Sequence, residues 1–80
     1  MRPDVEAELD GVLSWTRSVR SGMEEFPDRR DELQMQGHAY VGGVLTTLDH
    51  LGLITDAEYT HWQDRLNEVL GDPPGGWIAG

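Results

Sequence analysis

The 80-residue chain has no cysteine, so neither a disulfide nor a thiolate metal site can staple it. It also has no lysine. Its six basic residues are all arginine, at positions 2, 17, 20, 29, 30 and 65, against fifteen acids. The net charge of −9 would repel the phosphate backbone of a nucleic acid, so direct nucleic-acid binding is not expected. The same charge suits solubility or a basic protein partner. No apolar run approaches the ~20 residues of a membrane span. Asp4, Glu6, Glu8 and Asp10 stand where a signal peptide would need a basic and then an apolar region, and the expectation is a soluble cytoplasmic protein. A chain of this length makes one domain with a small core, which a second copy or a partner would help to stabilise.

What is present is helical. Leu51-Gly-Leu-Ile-Thr-Asp-Ala-Glu-Tyr59 writes a helix stop and a helix start back to back. Gly52 is placed as the residue after a helix, where positive φ carries no steric penalty. Thr55 is a good N-cap, and Glu58 three residues later completes a capping box. Ile54 and Tyr59 are spaced for a hydrophobic staple. Two helices therefore meet at a tight corner.

Around that corner the pattern predicts an all-α, antiparallel three-helix bundle, with helices at about 3–25, 28–51 and 56–70. In the first, Pro3 suits the opening position and Asp4, Glu6 and Glu8 lie near the positive end of the dipole. Val5, Leu9, Val12, Thr16, Val19, Met23 and Phe26 form its apolar stripe, flanked by Leu13 and Trp15. Phe26-Pro27 ends it, and Pro27 can open the second helix. The second stripe is Leu33, Gly37, Tyr40, Val41, Val44, Leu45, Leu48 and Leu51. Gly42-Gly43 in its middle costs about 1 kcal/mol per residue relative to alanine, so it either admits another backbone closely or kinks the helix. In the third, Tyr59, Trp62, Leu66, Val69 and Leu70 make the stripe and Gly71 is the stop. Residues 1–71 form the domain, and the Pro/Gly-rich tail 72–80 cannot continue a helix. At 1.5 Å per residue the second helix reaches about 36 Å and the third only about 22 Å. Apolar surface is left for the tail or another chain to meet.

Residues 45–70, LTTLDHLGLITDAEYTHWQDRLNEVL, resemble the SHOCT short C-terminal domain. Leu45, Leu48, Gly52, Leu53, Ile54, Thr55, Glu58, Tyr59, Leu66 and Leu70 match its spaced leucines, Gly-Leu-Ile-Thr corner and closing aliphatics. The chain departs from that pattern at His61, Trp62 and Gln63, where the family carries lysines, and in its much longer first helix. The resemblance covers about a third of the chain. It implies a helical hairpin used for oligomerisation or protein contact, with no catalytic residues.

Enzymatic chemistry finds little support. Ser14, Ser18 and Ser21 lack a nucleophile-elbow context. Gly42-Gly43 is followed by no lysine and preceded by no strand, so it is not a phosphate loop. The carboxylates lie on polar faces, with nothing to separate their pKa values. Glu58-x-x-His61 has the spacing of a di-iron bundle ligand pair, which makes a bundle metal protein a third reading. Such a site needs facing glutamates, however, and the inward positions of the second helix read as apolar or glycine. His38 and His50 lie about 18 Å apart along one helix and cannot meet His61 at one metal. No catalytic residue, metal ligand or cofactor is expected.

Aromatic residues say more. Three tryptophans in so short a chain suggest contact anchors, because tryptophan is enriched at interface hot spots. Trp62 reads as core. Trp15, at the edge of its stripe, fits core or contact equally. Trp77-Ile78 either folds back over the uncovered core or is offered to a partner. The expected function is a small acidic adaptor or regulatory protein that binds protein without turnover. Its partner-binding residues are Trp15, Tyr40, Trp77 and Ile78, rimmed by acids that attract a basic partner. Homodimerisation through the first two helices is a compatible form, with Gly37, Gly42 and Gly43 marking close helix crossing. The alternative is an acidic inhibitor, such as an immunity protein, antitoxin or nucleic-acid mimic, that occludes a basic site.

Overall fold

The computed structural model describes residues 1–71, so Trp77 and Ile78 lie outside the described residues. Three helices follow in order, α1 (Pro3–Glu25), α2 (Arg30–His50) and α3 (Asp56–Leu70), each packed against the other two. The described residues contain no strand. The expected all-α three-helix bundle is what forms. Gly22 lies near Leu33, Val19 near Gly37 and Trp15 on Tyr40, so α1 and α2 run antiparallel.

Leu9, Met23, Leu45, Leu66, Leu70 and Thr16 are fully buried. Burying each of the leucines stabilises the fold by about 1.5–3 kcal/mol relative to exposure. Thr16 is tolerated at the centre because its hydroxyl donates to the Val12 carbonyl at 2.8 Å, leaving no unpaired polar group in the core. Trp62 is buried among these residues, as the periodicity implies.

The corner between α2 and α3 has the expected stop and capping box. Gly52 adopts φ 71°. Its N–H donates to the Asp49 carbonyl at 3.0 Å, and the Leu53 N–H donates to the Leu48 carbonyl at 2.9 Å. Together these bonds form a Schellman motif that satisfies two end carbonyls. The Thr55 hydroxyl accepts the Glu58 N–H at 3.1 Å, and the Glu58 carboxylate accepts the Thr55 N–H at 2.8 Å. The capping box is complete. Ile54 is buried and Tyr59 half-buried against the core.

The first corner departs from expectation. Pro27–Arg29 forms a 3-10 turn and α2 begins at Arg30, later than 28. Phe26 leaves the helical region at φ −122° and ψ 72°. Its side chain is therefore carried off the α1 stripe and is 51% exposed. Leu51 also lies off the core, although its backbone stays helical at φ −79° and ψ −3°. It caps α2 instead of continuing it, and is 67% exposed. Between these ends α2 runs unbroken through Gly42-Gly43.

Two core positions of α2 are polar, contrary to the apolar reading of its inner face. Gln34 and His38 are buried because α3 ends against them. The Gln34 amide donates to the Leu70 carbonyl at 2.6 Å, and His38 Nε2 lies 2.7 Å from the Gly71 carbonyl. A carbonyl can only accept, so Nε2 carries the proton in that bond. Arg20 of α1 donates to the Val69 carbonyl at 3.3 Å. α3 has no basic residue in its last turn, and the orphan carbonyls of Val69 and Leu70 accept from side chains of the other two helices.

Candidate protein-binding interface

Trp15 and Tyr40 come together on the outer side of the α1–α2 seam. Their ring centroids are 4.4 Å apart with planes inclined at 44°. This is a geometry in which aromatic pairs attract. Trp15 remains 37% and Tyr40 46% exposed, although periodicity would also allow Tyr40 in the core. The reason is its place on α2. Val41 and Leu45 take the inward line, and Tyr40, one residue earlier, is rotated about 100° from Val41.

On α2 the surroundings of the pair are uncharged, while on α1 Arg17 and Asp10 are exposed two and five residues from Trp15. Residues 33–48 contain no Asp, Glu, Lys or Arg, a span of about 24 Å along the helix axis. Its one histidine, His38, is bonded toward α3. The outward positions are Gln36, Ala39, Tyr40, Gly43, Thr46 and Thr47, all exposed. The Thr47 hydroxyl donates back to the Gly43 carbonyl at 2.8 Å. On α1, Ser18 does the same to Ser14 at 3.3 Å. Each such proton is held by its own helix, which lowers the polarity the face presents.

One turn from the pair lie Gly11 on α1 and Gly43 on α2. The helices are antiparallel, so both glycines fall on the same side of the rings. A β-carbon at either would meet none of the described residues within 4 Å. The face thus carries an aromatic knob beside a shallow hollow. Gly42 is equally open. Of Gly37, Gly42 and Gly43, only Gly37 lies close against another described element of the same chain. A β-carbon there would lie 2.8 Å from Leu70 Cδ2.

The remaining candidates do not converge on a reaction. His50 and His61 are exposed, and His61 sits edge-on to Trp62 at 6.1 Å. Among the described residues no group of three or more His, Cys, Asp or Glu is placed to hold a metal ion. An open cleft of about 390 Å³ is lined by residues that include Glu6, Glu58, His61, Trp62 and Arg65. The Arg65 guanidinium lies 5.0 Å over the Trp62 ring. The Thr55 N–H bond holds the Glu58 carboxyl below its ordinary pKa against the opposing effect of burial. Glu58 is thereby tied to the capping box as an anion, the wrong state for a general acid. No helix among the described residues is long and apolar enough to cross a membrane.

Sequence reasoning named Trp15 and Tyr40 singly. Their pairing, and the buried Gln34 and His38, escaped it. The i, i+4 spacing of two polar residues around Gly37 was the available signal for the second pair. No family model matches this chain, and no curated protein or solved structure matches it either.

Proposed function

We propose that this chain is a small, acidic, non-enzymatic protein that acts in the cytoplasm by binding protein through the outer face of α1 and α2. The observation that carries this reading is the Trp15–Tyr40 pair, exposed along the uncharged span of α2. Elsewhere about a third of the residues are charged. Loss of charge around aromatic anchors is the compositional mark of an interface core. The helical corner of residues 45–70, with its likeness to a SHOCT hairpin, fits a contact module of the same kind.

The mechanism is steric. The bundle presents two rings held in register by packing, so little side-chain freedom is lost on contact. The test is affinity capture from lysate of the source cells, comparing the full chain with its Trp15→Ala/Tyr40→Ala double variant. A protein retained by the first and depleted at least tenfold with the second is the expected outcome. Identical capture by both would contradict the reading.

A further inference from the structure

We propose that residues 72–78 of the same chain, which lie outside the described residues, cross the outward side of α2 and set Trp77 beside Tyr40. The contact face then carries three rings, Trp15, Tyr40 and Trp77. The inference rests on the protein-binding reading above and names a further part of its surface.

The starting point of that segment is fixed on α2. The Gly71 carbonyl lies 2.7 Å from His38 Nε2, and a β-carbon on Gly71 would lie 3.0 Å from Gln34 Nε2. The chain therefore passes beyond Gly71 from the flank of α2 that carries Gln34 and His38. Each residue of a helix is rotated about 100° from the one before it. Gln34, Met35 and Gln36 thus lead round the outside of α2, and His38, Ala39 and Tyr40 do the same one turn further on. The first of each set is buried and the other two are exposed. The route runs over the solvent side of the helix and ends at the aromatic pair.

Length fits this route. A turn of about 200° round a helix 10–12 Å across is an arc of about 20 Å. The six residues from Gly71 to Trp77 reach about 20 Å when extended. Pro73 and Pro74 favour an extended course, because a proline has less chain entropy to lose.

Charge selects the same route. The two longest runs without Asp, Glu, Lys or Arg are residues 33–48 and 73–80, and no other exceeds six residues. An uncharged segment ending in Trp77-Ile78 loses least by lying where no charged group must be desolvated. On the sides of the bundle away from that run, exposed positions include Arg17 and Glu24 of α1 and Asp64 and Glu68 of α3. Over α2 the segment meets Met35, Gln36 and Ala39 instead.

The experiment places a nitroxide on the tail. Ala79→Cys introduces the first cysteine of the chain, so the full-length protein takes one label. Amide NMR intensities are compared with the nitroxide oxidised and reduced. Arg17 is the reference. It lies one turn from Arg20, whose guanidinium donates to the Val69 carbonyl at 3.3 Å, on the α1 side of the point where the chain leaves α3. The expected result is a loss of intensity at Met35, Gln36 and Ala39 at least threefold greater than at Arg17. In Trp77→Ala with the same label the losses become equal. Labelled chain mixed with unlabelled, nitrogen-15-enriched chain gives no loss. Equal loss at Met35 and Arg17 in the parent, a contrast that survives Trp77→Ala, or loss in the mixture, which would assign the route to a second copy, would each overturn the inference. None of these readouts needs a partner. If they fail while captured protein still depends on Trp15 and Tyr40, the protein-binding reading stands without the tail. If they succeed while capture is indifferent to those two rings, the tail keeps its place and the protein-binding reading falls.

Discussion

On the inner side of α2 a β-carbon added at Gly37 would lie 2.8 Å from Leu70 Cδ2, whereas on the outer side one added at Gly43 would meet nothing within 4 Å. The two glycines are six residues apart on one continuous helix. Intrinsic propensity treats them alike. Gly37 lets the end of α3 approach, and around it Gln34 and His38 bond the last carbonyls of that helix. Gly43 meets none of the described residues within 4 Å and lies beside two exposed rings. The contrast separates what holds this fold together from what is left over for another surface.

Substitutions sharpen the contrast, beginning with the largest effect. Leu70→Ala removes a fully buried side chain that packs on Gly37 and should destabilise the fold by about 2–5 kcal/mol in denaturant titration. Gln34→Leu keeps the volume but leaves the Leu70 carbonyl without its donor. It should cost about 1–3 kcal/mol, and a smaller loss would mean that the end of α3 is satisfied by other means. Gly37→Ala should destabilise by about 1 kcal/mol, its helix-propensity gain being outweighed by overpacking against Leu70. Gly43→Ala should act in the opposite sense, stabilising by about 0.5–1 kcal/mol and raising Tm by a few degrees. Equal signs at the two positions would break the comparison.

The smallest effect concerns pH. Because the folded pKa of Glu58 lies below its ordinary value of 4.5, the capping contribution is fully present above that value. It is lost as pH falls through the folded pKa. Glu58→Gln can still accept the Thr55 N–H but does not titrate there. Its Tm should fall less steeply than that of the parent below pH 4.5, and parallel curves would remove Glu58 from the acid limb of stability.

How much of this was legible in the sequence follows from how local each interaction is. The α2–α3 corner was readable because its bonds join residues three to five apart, so Gly52, Thr55 and Glu58 announce it themselves. The stripes of α1 and α3 were readable for the same reason, since helical periodicity marks a buried face. Phe26 falls off the stripe because periodicity does not say where the helix lets go, and one residue beyond that point the side chain leaves it. Gln34 and His38 were hidden because their partners are 36 and 33 residues away. At the site, Trp15 and Tyr40 stood out by type. That they touch depends on the antiparallel register of α1 and α2, which periodicity leaves open.

The central claim is that the outer α1–α2 face serves contact with protein and contributes little to the fold. The most direct measurement sets unfolding free energy beside binding for the Trp15→Ala/Tyr40→Ala double variant. The expected result is a stability loss under about 1.5 kcal/mol, the scale of an aromatic pair, together with at least tenfold weaker association with whatever protein the parent binds, a second copy included. A large stability loss with binding unchanged would contradict the claim and assign the two rings to the fold.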